Sequence, residues 1–185
     1  MNSKKCRSDL KVIEINRLIE AERLQKKLFR KLQTKRNDMM KILEIMPDFN
    51  LAGAEIMVEN LCYELKKQHE VMVVSMYHCE TAITERLKNN GINLIFLNKK
   101  SGFDWAATQR LKRVILDFQP DVIHTHRYML MYAVLSGGIN KQRRVFHTVH
   151  NVAEKEVPPK LQYFQKFLFK RRMVVPIAIS PRVRE

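Results

Sequence analysis

A chain of 185 residues, 45% of them hydrophobic, can bury a sizeable core, which excludes general disorder and low-complexity architectures. Its net charge of +15 favours anionic partners (lipid headgroups, nucleic acid or phosphorylated substrates) without choosing among them. No run of about 18 apolar residues is present, so no helix is expected to span a bilayer, and the basic N-terminus lacks the continuous apolar stretch of a signal peptide.

Residues 1–38 carry twelve Lys/Arg against five Asp/Glu and form a basic extension. Between residues 9 and 36, Leu10, Ile13, Leu18, Ala21, Leu24, Leu28 and Leu32 recur at spacings of three to five, which predicts a helix with Asp9 as its cap. Arg17 and Gln25 break the stripe. A coiled coil, a helix resting on an anionic membrane and a solvated extension all remain open.

From residue 39 to 185 the pattern changes to alternating strands and helices. Ile42–Met46 is a short apolar strand closed by Pro47, and Ala54–Lys67 an amphipathic helix. His69–Met76 is a valine-rich strand, Ala82–Asn89 a short helix with Gly91 at its C-terminal cap, and Ile92–Leu97 the third strand. Asp104–Phe118 is a helix with Asp104 as N-cap and Pro120 beyond its end. Asp121–Thr125 is the fourth strand. A helix around Tyr128–Leu135 and the turn Ser136-Gly-Gly138 follow, then the strand Arg144–Val149, the helix Pro159–Arg171 and the strand Val174–Ile179. Alternation of this kind implies right-handed crossovers and a Rossmann-like, doubly wound parallel sheet with both faces covered.

In such sheets ligands bind beyond the carboxyl ends of the strands. Three of those ends carry chemistry. After the first strand, Gly53 and the helix beginning at Ala54 offer close backbone approach and free amides to a phosphate or hydroxyl. The dinucleotide pattern G-x-G-x-x-G is absent. Glu55 falls in the first helical turn, where its charge suits the dipole. His124 and His126 share one face of the fourth strand, with His126 at the end, in reach of a ligand, and His124 deeper as a core histidine. Arg127 beside them can pair with phosphate oxygens. His150 and Asn151 close the fifth strand and can bind hydroxyls, while His147 lies on the other side and reads as structural. His-x-His can chelate zinc, but no third ligand has a spacing that demands it, so no metal is expected. Cys6, Cys62 and Cys79 show neither C-x-x-C nor zinc spacing and read as reduced thiols of a cytoplasmic protein. Lys99, Lys100, Arg143 and Arg144 are candidate contacts to anionic headgroups. A recognition motif or an aromatic–basic stacking pattern for nucleic acid is lacking.

Leu51-Ala52-Gly53-Ala54-Glu55, Pro120-Asp-Val-Ile-His-Thr-His126, Thr148-Val-His-Asn151 and Ala178-Ile-Ser-Pro-Arg-Val-Arg-Glu185 occur in this order. Together they resemble the N-terminal, acceptor-side domain of family 4 glycosyltransferases, over roughly residues 40–185. Ala52 stands where the family's turn has its first glycine. The resemblance implies one half of a GT-B fold, with the donor-binding domain absent from this chain. It implies the acceptor-binding half of a retaining transferase in polysaccharide or glycoconjugate synthesis, inactive alone, with a nucleotide sugar as co-substrate and no cofactor. His126 would bond the donor sugar or pyrophosphate and organise the transition state, and Ala52, Gly53, Ala54, Arg127, His150 and Asn151 would bind substrate. Expected partners are a sugar or lipid-linked acceptor, a donor-binding domain on another chain and the anionic inner face of a membrane. A non-catalytic, glycosyltransferase-like binding module or an inactive fragment is the other reading.

Overall fold

The computed structural model describes residues 39–50, 53–149 and 159–178. The predicted helix within residues 1–38 lies outside them. The described residues form six strands: β1 (Lys41–Met46), β2 (Glu70–Ser75), β3 (Asn93–Phe96), β4 (Val122–His126), β5 (Arg144–Val149) and β6 (Val175–Ala178). All pair in parallel in the order β3-β2-β1-β4-β5-β6. The helices between them are α1 (Gly53–Lys66), α2 (Ala82–Asn89), α3 (Trp105–Phe118), α4 (Leu130–Leu135) and α5 (Pro159–Lys170), with a single 3₁₀ turn at Arg127–Met129. This is the predicted Rossmann-like, doubly wound sheet. Its strand order reverses between β1 and β4, so the crevice expected of such folds opens there.

Two cores sandwich the sheet. Residues of even number in β1 and β4 and of odd number in β2 face α1 and α2; Ile42, Met46, Val71, Val73 and Val122 pack there with Met57, Val58, Leu61, Leu65, Ile83 and Leu87. The opposite face joins Leu43, Ile45, Met72, Val74 and Ile123 to Leu111 and Ile115 of α3, to Leu130 and Ala133 of α4, and to Leu168 of α5. Covering on both sides explains why β1 and β2 read as continuous apolar runs rather than alternating ones.

Local chemistry sets the helix ends. The Thr81 hydroxyl accepts from Thr84 N–H while the Thr84 side chain accepts from Thr81 N–H, a reciprocal cap that starts α2. Beyond α2, Gly91 sits at φ +66°; Ile92 N–H donates to Leu87 C=O and Gly91 N–H to Lys88 C=O. That pair of bonds needs a left-handed residue, which is why the helix stops at a glycine. Asp104 caps α3 through Ala107 N–H at 3.0 Å and also accepts Lys100 N–H at 2.9 Å, tying the preceding loop to the helix. β6 is an edge strand whose Pro176 removes a donor that a foreign strand would use.

Leu111 and Leu116 lie on opposite faces of α3, the first fully buried and the second 60% exposed. Leu111→Ala is expected to lower unfolding free energy by about 2–5 kcal/mol. Leu116→Ala should change it by no more than about 0.5 kcal/mol, both read from urea denaturation.

Candidate functional site

A carboxylate lies in the middle of β1. Glu44 is paired in register with His124 of β4 and points to the α1 side of the sheet, where it is fully buried. His124 Nδ1 approaches both carboxylate oxygens, at 3.2 and 3.0 Å, and His126 Nε2 lies 2.9 Å from Oε2. On its far side His124 Nε2 meets Thr148 Oγ1 of β5 at 2.7 Å. The two imidazole centroids are 4.1 Å apart. One polar chain therefore crosses three strands, from β1 through β4 to β5, across the point where the strand order reverses.

Charge within this chain follows from who can donate. Burial would push the Glu44 carboxyl up, but the field and hydrogen bonds of the two histidines outweigh it and hold the group down at about 2. Burial, reinforced by neighbouring His124, brings His126 down to about 4 despite its bond to Glu44. An ionised carboxylate only accepts, so His126 is a neutral imidazole whose proton sits on Nε2. On the other face, burial and then the fields of His126 and His124 bring His147 down to about 3. Thr125 Oγ1 donates to Phe146 C=O and accepts from His147 Nδ1, leaving His147 Nε2 buried with no partner, as a neutral ring allows. Its ring stacks on Phe169.

At the mouth of the crevice stands Arg127. It occupies left-handed backbone at φ +54°, a conformation an arginine rarely adopts without compensation. Its Nη1 lies 3.3 Å from Oε1 of Glu55, and the guanidinium sits 5.9 Å from the Tyr128 ring centroid. Glu55 is in the first turn of α1 as expected, but its side chain is only 1% exposed. Burial raises its pKa, and a backbone hydrogen bond at the start of the helix, followed by the field of Arg127, offsets that only in part. Glu55 Oε2 has no hydrogen-bond partner among the described residues. The Arg127 side chain is 38% exposed.

The expected site residues therefore divide. Arg127 is at the opening, and Gly53 and Ala54 begin α1 beside Glu55, half-buried. His126 closes β4 as expected but is not within reach of solvent: strand alternation turns it onto the face that α1 covers, and Glu44 draws its Nε2 inward. Ala52, His150 and Asn151 lie outside the described residues. His124 is the buried, satisfied histidine that the sequence implied, and His147 is on the opposite face. Two charged candidates for headgroup contact are committed elsewhere. Lys99 Nζ is bound to Tyr77 Oη and to the carbonyls of Lys100 and Gly102, and Arg143 donates to the carbonyls of Pro120, Gly137 and Gly138. Lys100 and Arg144 stay exposed.

Glu44 is the residue that sequence spacing missed. With His124 and His126 it offers three ligand atoms within 4.8 Å of one another, a set that could hold a metal ion. As arranged, the same atoms satisfy one another through hydrogen bonds. The signal in the sequence was a lone glutamate inside the apolar run Ile42-Leu-Glu-Ile45. Cys62 and Cys79 are free thiols, and burial pushes that of Cys62 well up, which makes it inert. No helix among the described residues is long and apolar enough to cross a membrane.

The profile of the family described as Glycosyltransferase Family 4 matches residues 51–185. Among solved structures, the chain is similar to a glycosyltransferase from Rickettsia africae ESF-5, with a TM-score of 0.59 and 19% sequence identity. The match covers 75% of this chain and 36% of that one, so the chain spans about a third of that protein's length. None of the curated proteins matches.

Neutral burial of His126 and His147 makes the fold acid-sensitive. Their folded pKa values, about 4 and about 3, lie below the unfolded value near 6.5. Between those limits the unfolded chain binds more protons, so stability is complete above about pH 6.5 and falls as pH drops toward 4. Each ring should contribute a loss of about 2 kcal/mol between pH 7 and pH 5, measured by urea denaturation. His147→Phe, which keeps the contact with Phe169, should shrink that loss by one ring's share.

Proposed function

The chain belongs to glycosyltransferase family 4, and from that premise we propose that it is the acceptor-side half of a retaining, nucleotide-sugar-dependent transferase with a GT-B architecture, acting in polysaccharide or glycoconjugate synthesis. One observation carries the reading. At the mouth of the β1–β4 crevice a left-handed Arg127 meets Glu55, buried in the first turn of α1, whose Oε2 has no partner among the described residues.

Each group has a task in such a transfer. The Arg127 fork takes the phosphate oxygens of the donor, where negative charge grows as the leaving group departs. Amides at the start of α1, around Gly53 and Ala54, add a positive pole. Glu55 Oε2 accepts a hydroxyl of the acceptor, and Ala52, His150 and Asn151 complete the acceptor's surroundings. His126 acts from behind: its bond to Glu44 fixes the end of β4 and so the backbone of Arg127. A donor-binding half, on further chain or on a partner, supplies the nucleotide site. The one-third span of the Rickettsia protein is consistent with that division.

The alternative is a non-catalytic, glycosyltransferase-like binding module, and the complete burial of His126 favours it. Kinetics separate the two. With a donor-binding half present and a panel of nucleotide sugars and acceptors, Arg127→Ala should lower kcat/KM by about 10²-fold, the size expected for one donor to a developing anion. Glu55→Gln should raise the acceptor KM about tenfold, the equivalent of one hydrogen bond to a charged group. Transfer that Arg127→Ala leaves untouched, or nucleotide-sugar turnover by residues 1–185 alone, would sink the assignment.

A further inference from the structure

The outward face of α5 is built the wrong way round for a helix in water. Its inward side packs Leu168 into the sheet core, with Phe169 partly buried beside it. Its outward side should then be polar. Instead Tyr163 is 75% exposed, Phe167 51% and Phe164 36%. At 100° per residue these three fall within one 100° sector, and exposed Lys166, Lys170 and Arg171 fall in or beside it. Arg171 lies 5.4 Å from the Phe167 ring centroid, so cation and ring form one surface. Residues 159–172 contain five Lys/Arg and no Asp/Glu. No carboxylate among the described residues pairs with Lys166, Lys170 or Arg171.

We propose that this face of α5 docks flat on an anionic lipid surface, with Tyr163, Phe164 and Phe167 entering the headgroup–acyl boundary and the lysines and arginine contacting lipid phosphates. Exposed aromatics alone would suit many partners. The positive charge around them, unpaired among the described residues, selects a partially apolar surface of negative charge, which a phospholipid leaflet presents everywhere and in two dimensions. Lysine stems can lie along the apolar boundary while the ammonium groups reach the phosphates. The inference is independent of the chemistry at the β1–β4 crevice.

Flotation of the full chain with vesicles of equal parts phosphatidylglycerol and phosphatidylcholine, and with pure phosphatidylcholine, tests it. The wild-type chain should float with the anionic vesicles and not with the neutral ones. Tyr163→Ser/Phe164→Ser/Phe167→Ser should cut partitioning about tenfold or more, and Lys166→Glu/Lys170→Glu should do the same. These positions are exposed, so an unchanged urea midpoint confirms that the variants fold. The basic residues 1–38 remain intact in both, which separates their contribution from that of α5. A Phe167→Trp chain in a Trp105→Phe background should show a blue-shifted emission on the anionic vesicles. Equal flotation of the aromatic variant and the wild type would overturn the proposal. So would absence of flotation on anionic vesicles, or an α5-dependent binding of nucleic acid or of a second copy of the chain in its place.

Discussion

The described fold is organised around one buried negative charge. Glu44 occupies the centre of β1, the strand on which both halves of the sheet are assembled, and it is shut away from water. A lone carboxylate there would cost several kcal/mol of desolvation. It persists because β4 brings two imidazoles to it, at 2.9 to 3.2 Å. The in-register pairing of Glu44 with His124 therefore does more than form a ladder. A slip of β1 by one residue would turn Glu44 toward α3 and leave both histidines on the opposite face. The polar chain to Thr148 carries the same constraint on to β5. Register across the three strands that bound the crevice is thus fixed by hydrogen bonding as well as by packing.

What this arrangement asks of the mouth is visible in Arg127. The residue after His126 must leave the sheet sharply, and it does so in left-handed backbone. The strain of a non-glycine residue there is of order 1–3 kcal/mol. Glu55, a second buried carboxylate, holds the guanidinium and is itself only half satisfied. One carboxylate has both oxygens hydrogen-bonded, and the other keeps an oxygen with no partner among the described residues.

The fold was largely legible in the sequence because its signals are local. The Schellman-type stop at Gly91, the Asp104 cap and the valine run of β2 each belong to a few consecutive residues. The site was less legible because its chemistry depends on pairs about 80 residues apart, such as Glu44 with His124 and His126. Strand alternation placed the two histidines on one face, but nothing local said that α1 would cover that face. Glu44 stands inside a strand that reads simply as apolar. The same limit applies to Lys99 and Arg143, whose charge is plain in the sequence while the backbone carbonyls that absorb their donors are not.

That last point bears on how the net charge of +15 is to be read. Formal charge counts Arg86, Lys99, Arg127 and Arg143 as equals of any surface lysine. In the fold Arg86 is held bidentate by Glu59, Arg127 by Glu55, and Lys99 and Arg143 by carbonyl groups. Such cations help to hold loops and helix ends in place, and a partner must compete with fixed protein oxygens to reach them. Lys166, Lys170 and Arg171 have no such ties among the described residues and stand among exposed rings. Along α5 electrostatic attraction and apolar burial can act on the same few side chains.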